Sequence, residues 1–577
     1  MERKARISGG EGEPRLLFES AFLGVVGAAA ARLFMWMLQI CNALFLHRLA
    51  AYWVPLAKKG VPREIIGPHG LWPIPFVTTL GGLLSGWLVY RFAPEAEGHG
   101  TDTAVNAFHR NEGLIRSRVA PIKMVASAIT IGSGGSAGRE GPIALIAAAV
   151  GSLYARLAHR PERARQILLL AGMAAGLSAI FRTPMGTGVF AIEVLYGTME
   201  FEVGALLYTM LSSAVAYTVN GIFVGFRPIF LVPSIPTPRF PDFAAFAALG
   251  IGAGLVATIL PLVFYYARDR FRTLPVPIHL KPAIGGLGVG LLALALPQVL
   301  GGGYGWIQLA IDGRIALWLL LTLIFAKMIA FALTVSSGGS GGVFAPSLFV
   351  GAMLGGSFAV LMHQMPAVFA VVGMAAVFGA AARVPIATML MVTEMAGGYH
   401  LLVPAGMAVM ISYLLQVRLS SFFKYGSLYE AQVPTRQDSP AHYMEHIQVA
   451  MNLLARRNLP LGDELGHLDL LRLLRSRVRF DLPGGRQLTI GLVKPEGPLA
   501  GKNIRWLYRT LQAYDFEIIA VIRREQILLP HAETILEAND RVILITSSNS
   551  EQPLSKYISP VPQVEKGGVQ EGSTEAA

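Results

Sequence analysis

The 577-residue sequence predicts an all-α polytopic membrane protein, built from two repeats with broken, re-entrant helices and followed by a small α/β soluble domain. Three observations predict this class. The chain is 53% hydrophobic and only 15% charged, where soluble domains carry about 25% charged residues, and its mean hydropathy is +0.52. Apolar windows close to the ~20 residues that cross a bilayer recur as far as Leu419. Two glycine-rich stretches repeat each other at a long, fixed offset.

The windows at 17–40, 71–92, 243–266, 315–335 and 401–417 are continuously apolar. They do not alternate, which argues against a β-barrel. A formal net charge of +12 would suggest nucleic acid in a soluble protein. Here the basic residues cluster at 1–6, 156–166 and 265–275, in short segments beside apolar runs, and no nucleic-acid partner is expected. That is the pattern of loops kept on the cytoplasmic side. The charged N-terminal region runs into a polar stretch and then a long apolar run, unlike a cleavable signal peptide. Cys41 is the only cysteine, so neither a disulfide nor a thiolate metal site can form within the chain. No metal and no cofactor are expected.

Beyond Leu419 the composition becomes soluble. Residues 446–460 are charged and periodic and predict a helix in a linker spanning 433–480. Residues 486–497 predict a strand and turn, 499–513 a helix, and 516–548 two β-branched strands with a turn at "AND" before the second. Residues 481–550 thus predict a small α/β module, and the polar stretch 551–577 a disordered tail.

The repeat is explicit. "SGGSAGREGP" at 133–142 is matched by "SGGSGGVFAP" at 337–346, with six of ten positions identical and an offset of 204. "GMAA" occurs at 172–175 and again at 373–376, an offset of 201 that also pairs Arg182 with Arg383, Pro184 with Pro385 and Glu193 with Glu394. Two echoes in one order at nearly one spacing predict homologous halves, about 17–225 and 240–432, after an N-terminal segment 1–16. Internal repeats in a polytopic membrane protein point to a transporter or channel whose site lies where the halves meet. The offset leaves inverted and parallel repeats equally open. Residues 142–157 and 385–396 are too short or interrupted to span, as expected of helices that end inside the membrane.

Each glycine-rich stretch runs into a helix with proline in its first turn, where the missing N–H has no intrahelical partner to lose. A helix start offers unpaired N–H groups and the positive end of the dipole, and glycines let a ligand approach the backbone, so the pair predicts an anion site without lysine. Close helix packing is the alternative use of such glycines. Glu140 stands in only one copy, opposite Phe344 in the other. A carboxylate at membrane depth is costly and a functional candidate. At a helix start it can occupy the anion position itself or become protonated and swing out, which makes a gate. An ion pair with Arg139 is the alternative.

These residues resemble the CLC family of chloride channels and chloride/proton antiporters. "GREGP" (138–142) is similar to its gate motif, "GGVFAP" (341–346) to its second anion-site loop, and "GSLYEAQV" (426–433) to the segment that brings a tyrosine to the central anion. The longer run 120–142, with Lys123, also fits. The resemblance covers about 17–432. It implies inverted-topology halves and a homodimer with one pore per subunit, set in the lipid of a plasma (inner) membrane with both termini cytoplasmic. It implies chloride or a similar small anion as cargo, with protons as partner in the antiporters, and Glu140 as the external gate. The anion positions it implies are His99, Gly100, Arg139, Gly141, Val343, Phe344, Ala345 and Tyr429. Ser133, Gly138, Pro142, Gly342, Pro346 and Lys123 would support the helix starts.

Two departures bear on mechanism. The family's first anion-site loop usually reads Gly-Ser-Gly-Ile-Pro, and the matching stretch here is "GHGTD" (98–102). His99 replaces the serine that faces the anion, and an imidazole, with an ordinary pKa of about 6.5, could make occupancy pH-dependent. Alternatively His99 turns aside and Asp102 only caps a helix. The second departure is Val194, which stands where antiporters often carry an inner proton-route carboxylate. Glu193 beside it and its echo Glu394 are expected to share a structural role. The loss at Val194 favours a voltage- or pH-gated channel, with an antiporter that works without the inner glutamate as the alternative.

Residues 497–507 and 516–545 resemble the C-terminal subdomain of RCK/TrkA-type regulators of potassium transport, which implies a dimerising domain that senses an unidentified small molecule, or a stabilising one. A potassium transport protein is the reading this module alone would suggest. It needs a filter of the "TVGYG" kind, and "GGGYGW" (301–306) lacks the Thr-Val start. No "HExxH", serine–lysine or paired-Asp motif suggests a membrane enzyme.

Overall fold

The computed structural model describes residues 14–55, 66–68, 70–233, 240–436, 439–442, 480–482, 486–495, 497–511, 516–523, 526–528, 530–547, 554 and 556–560. The helix expected at 446–460 and the tail past Pro560 lie outside the described residues. The chain divides into two compact units, Met1–Asp438 and Ser439–Ala577.

The first unit holds two runs of eight helices. The first run is α1 (Pro14–Asn42), α2 (Pro73–Phe92), α3 (Thr101–Arg110), α4 (Val119–Gly132), α5 (Glu140–Leu157), α6 (Glu162–Phe181), α7 (Pro184–Glu193) and α8 (Val203–Val224). The second is α9 (Phe240–Thr273), α10 (Lys281–Ala295), α11 (Tyr304–Ile311), α12 (Leu317–Ser336), α13 (Phe344–Leu361), α14 (Pro366–Ala381), α15 (Pro385–Ala396) and α16 (Leu402–Ser420). Among the described residues nine helices are long and apolar enough to cross a membrane. The short ones fall in matched pairs, α3 with α11 and α7 with α15. α6 is apolar on every face and 94% of its spanning window is buried, the mark of a core helix. It packs on α5 as α14 packs on α13. A Cβ on Gly172 would collide with the Ala147 carbonyl, and one on Gly373 with the Gly351 carbonyl, so glycine sets both approaches.

The repeats are related by a local two-fold. Gly138 and Gly342 are equivalent positions, and they exchange both backbone hydrogen bonds as an antiparallel bridge: Gly138 N–H donates to Gly342 O at 2.7 Å, and Gly342 N–H to Gly138 O at 2.6 Å. Equivalent residues can pair this way only if the two loops run in opposite directions. The halves are thus related by a two-fold, in keeping with the inverted repeats of the predicted fold class. The relation extends outward. Buried Lys123 donates to the Ala96 and Gly98 carbonyls at 2.9 and 2.7 Å. Its equivalent Lys327 donates to Val299 and Gly301 at 2.7 and 2.6 Å. Glu193, at the end of α7, accepts from the Ile386 and Ala387 N–H groups that open α15, at 3.0 and 2.6 Å. Glu394, at the same place in α15, accepts from Met185 and Gly186 of α7 at 3.1 and 2.9 Å. Each carboxylate thus satisfies two orphan donors and faces the positive end of the opposite helix.

In the second unit, β1 (Phe480–Leu482), β2 (Arg486–Val493), β7 (Arg541–Ser547), β4 (Phe516–Arg523) and β5 (Gln526–Leu528) form an antiparallel sheet in that order, with β8 (Ile558–Pro560) also on β2. β3 (Lys502–Asn503) pairs β6 (Ile535–Leu536). The helix expected over 499–513 is confined to α17 (Ile504–Thr510) because Asn503 caps it, its side chain accepting from Trp506 N–H at 3.0 Å. The sequence placed 551–577 in a tail, but β8 belongs to the sheet. Buried Ile558 closes a core with Val493, Leu507 and Val542. Buried Asp540 takes two hydrogen bonds from Arg523, at 3.0 and 2.7 Å, and holds that guanidinium above its ordinary pKa.

The reciprocal capping predicts that Glu193→Ala lowers the thermal stability of the detergent-purified protein by about 2–3 kcal/mol, the worth of hydrogen bonds to a charged group. Glu193→Gln keeps an acceptor and loses clearly less. Equal losses would remove the capping role.

Candidate functional site

The two glycine loops deliver the starts of α5 and α13 to one point. A small cavity of about 10 Å³, room for about one water, lies there and is lined by Thr101, Glu140, Gly141, Val343, Phe344 and Tyr429, with Phe181 and Phe190 among the residues that close its apolar side. Phe344 packs on Phe181 and Phe378, ring centroids 4.6 and 4.4 Å away.

Glu140 is the first residue of α5 and is buried. One carboxylate oxygen accepts from the Tyr304 hydroxyl, the carboxylate also faces the backbone N–H groups of Glu140 and Ala345, and its second oxygen has no well-aligned hydrogen-bond partner. That second oxygen lies against Gly138, where a Cβ would collide with it. The Arg139 guanidinium does not pair with Glu140. It stacks on the Tyr304 ring at 4.6 Å and reaches Met35 Sδ at 3.6 Å. Phe230 backs the same ring at 6.0 Å.

Across the cavity Tyr429 is buried, and its hydroxyl is hydrogen-bonded with the Thr101 side chain. Gly100, at φ +83°, makes the turn into α3, a conformation that glycine adopts at no steric cost. His99 does not line the cavity. Its Nε2 lies 3.1 Å from Asp102 Oδ2. Asp102 also accepts from the Glu430 and Ala431 N–H groups, both at 3.2 Å, which ties the start of α3 to the Tyr429 segment. His99 Nδ1 is buried without a hydrogen-bond partner.

Of the remaining expected positions, Gly141, Val343 and Phe344 line the cavity, and Ala345 is fully buried in the first turn of α13. Pro142 and Pro346 are the third residues of α5 and α13, while Gly138 and Gly342 form the bridge. Lys123 holds the loop before α3 and stands outside the cavity lining. Ser133 closes α4 instead of opening α5, its hydroxyl donating to Thr130 O at 3.1 Å. Val194 caps the end of α7, fully buried, its carbonyl accepting from Gln432 Nε2 at 3.2 Å.

Sequence reasoning missed Thr101, Tyr304 and Lys327. All three were reachable from the repeat. Lys327 lies 204 residues after Lys123, and "GGGYG" (301–305) follows "GHGTD" (98–102) by 203, which makes Tyr304 the counterpart of Thr101.

Comparison with known proteins bears on the family and the fold. A family model described as a voltage gated chloride channel matches residues 81–416, more than half of the chain, and a TrkA-C domain model matches 490–559. The H(+)/Cl(-) exchange transporter ClcA of Salmonella agona (strain SL483) is 31% identical over 433 residues, covering 72% of this chain and 88% of that protein. The protein of the same name from Salmonella gallinarum is 31% identical over 409 residues, 68% of this chain and 85% of that one. Among solved structures, a slow cyanobacterial Cl-/H+ antiporter aligns with TM-score 0.62 at 21% identity, over 78% of this chain and all (100%) of that one. A CLC-type fluoride/proton antiporter aligns with TM-score 0.61 at 24% identity, over 73% and 98%. Both share the fold. The chain belongs to the CLC family of voltage gated chloride channels and transporters, with a TrkA-C-like domain at its C-terminal end.

Proposed function

We propose that this protein exchanges chloride for protons across the membrane, with Glu140 as both gate and proton carrier. The observation that carries the reading is Glu140 at the start of α5, on a cavity that the α13 start also faces. Chloride would sit between these helix starts, held by backbone N–H groups around Gly141 and Phe344 and by the hydroxyls of Thr101 and Tyr429. Glu140 competes for the same N–H groups as carboxylate and leaves when protonated. Exchange replaces the passive channel that the sequence favoured, because the curated relatives at 31% identity are named as H(+)/Cl(-) exchangers. Val194 is the observation that favours the channel. The homodimer, the inner-membrane location, the cytoplasmic termini and a small-molecule ligand on the TrkA-C-like domain belong to the same proposal, on family grounds.

In liposomes with opposed chloride and pH gradients, the reversal potential of the purified protein should follow both ions. A chloride Nernst potential at every pH would leave a channel. Glu140→Gln should abolish proton movement. Tyr304→Phe removes a charge-assisted hydrogen bond from Glu140 but keeps the ring on which Arg139 stacks, so chloride flux at pH 7 should rise about tenfold, the equivalent of roughly 1.5 kcal/mol of lost hold. Thr101→Val, which deletes only a hydroxyl, should weaken chloride binding in calorimetry by about three- to tenfold.

A further inference from the structure

An exchanger must pass protons between Glu140 and the solution on the Tyr429 side, and the position the family often uses is Val194. Neither nearby carboxylate fills the gap. Glu193 has both oxygens engaged by the Ile386 and Ala387 N–H groups. Fully buried Glu202 is paired with Arg163 at 2.5 Å and Arg436 at 3.6 Å, and it accepts from the Tyr196 hydroxyl at 2.7 Å. Its oxygens are taken up by two guanidinium groups and a hydroxyl, which suits anchoring and not proton transfer.

We infer that His99 and Asp102 form the proton relay of this chain, in place of the inner carboxylate. The inference rests on the exchange reading. Both Asp102 oxygens accept from backbone N–H groups, and a carboxylate there offers Nε2 only an acceptor, which selects the His99 tautomer with hydrogen on Nε2 and leaves Nδ1 as a bare acceptor. Nδ1 is buried and unpartnered. The imidazole is 7% exposed and its ring centroid lies 5.5 Å from that of Tyr429, which lines the cavity together with Thr101 and Glu140. At the other end the Asp102 side chain is 27% exposed. Protonatable groups therefore run from the gate to an exposed carboxylate.

The transfer balances. Protonated Glu140 gives its proton to Nδ1 by way of a water in the cavity and the Thr101 and Tyr429 hydroxyls, the last of which belongs to the ring beside His99. Glu140 becomes a carboxylate and His99 an imidazolium, which Asp102 stabilises. The imidazolium then turns, releases that same Nδ1 proton to Asp102 or to water on the exposed side, and turns back with hydrogen still on Nε2. The reverse sequence carries protons the other way. The groups facing this pair are few. Lys123 from α4 lies beneath the loop with its ammonium on Ala96 and Gly98. Tyr265 and Phe264 come from α9, and Arg268 of that helix pairs with Glu430. Tyr429 and Glu430 come from the following segment, and Glu140 lies across the cavity.

The test is a pair of measurements in liposomes, chloride flux and chloride-driven proton transport, on wild type, His99→Ser and Asp102→Asn. His99→Ser restores the family residue, and Asp102→Asn keeps an oxygen for the Glu430 and Ala431 N–H groups. Both variants should retain chloride flux within about threefold of wild type, while proton transport falls at least tenfold and the reversal potential moves to that of chloride. Should His99→Ser fail to fold, Asp102→Asn alone decides. An unchanged proton-to-chloride ratio in a coupled wild type overturns the relay and leaves the exchange reading standing. Loss of chloride flux together with proton flux would place the pair in anion conduction and also overturn it. A wild type that moves no protons ends both.

Discussion

The paired hydrogen bonds between Gly138 and Gly342 are the constraint on which the rest of this membrane unit depends. They join equivalent points of two inverted halves, so everything else is placed twice around them. The approach admits no side chain. A Cβ on Gly342 would lie 2.6 Å from Gly141 N and 3.0 Å from Gly138 O, and would drive the two helix starts apart. With the bridge in place, α5 and α13 must begin beside each other, and their unpaired N–H groups converge without any cation between them. The loops before α3 and α11 are then pinned by Lys123 and Lys327, each buried in contact with two carbonyls. A lone ammonium there would be very costly, and the carbonyls are what make it tolerable.

Where the two-fold holds, residues do structural work, and where it breaks stand the residues that the exchange reading uses. Glu193 and Glu394 obey it, as do the two lysines and the left-handed Arg182 and Arg383, at φ 60° and 55°. Glu140 faces Phe344 across it, and Thr101 faces Tyr304. His99 and Asp102 correspond to Gly302 and Gly305, which carry no side-chain chemistry at all. A duplicated scaffold has thus kept its anchors in both copies and differentiated a few positions at the centre, all of them at or beside the cavity.

Much of this was legible in the sequence because glycine, proline and charge are rare enough in an apolar chain to mark position. The doubled loop, the two halves and the buried Glu140 all follow from such residues. The structural role of Glu193 was legible too, since its echo at Glu394 is a repeat of the same local geometry. What the sequence could not give was direction. Whether His99 faces the anion or its neighbour depends on Asp102, whose carboxylate offers the ring a closer partner than the cavity does. The Tyr304 hydroxyl reaches Glu140 from 164 positions away, and only the inverted packing brings it there. In the soluble unit, Ile558 reads as part of a polar tail until the sheet shows β2 with an unfilled edge.

On the exchange reading, the placement of cations accounts for how such a site would bind an anion and still release it. Arg139, Lys123 and Lys327 lie around the two helix-start loops, yet none lines the cavity. Each is committed elsewhere: Arg139 to the face of Tyr304, the lysines to loop carbonyls. On the exchange reading, direct contact with the anion would be left to N–H dipoles and two hydroxyls. A guanidinium or ammonium in the cavity would hold chloride as a buried ion pair, with a well too deep for turnover, and would hold the Glu140 carboxylate just as firmly. Conduction needs a site favourable enough to enter and weak enough to leave. Dipoles at a helix start meet that requirement, and on the exchange reading they would let a carboxylate and an anion exchange places on nearly equal terms, so that the protonation of one side chain would decide which is bound.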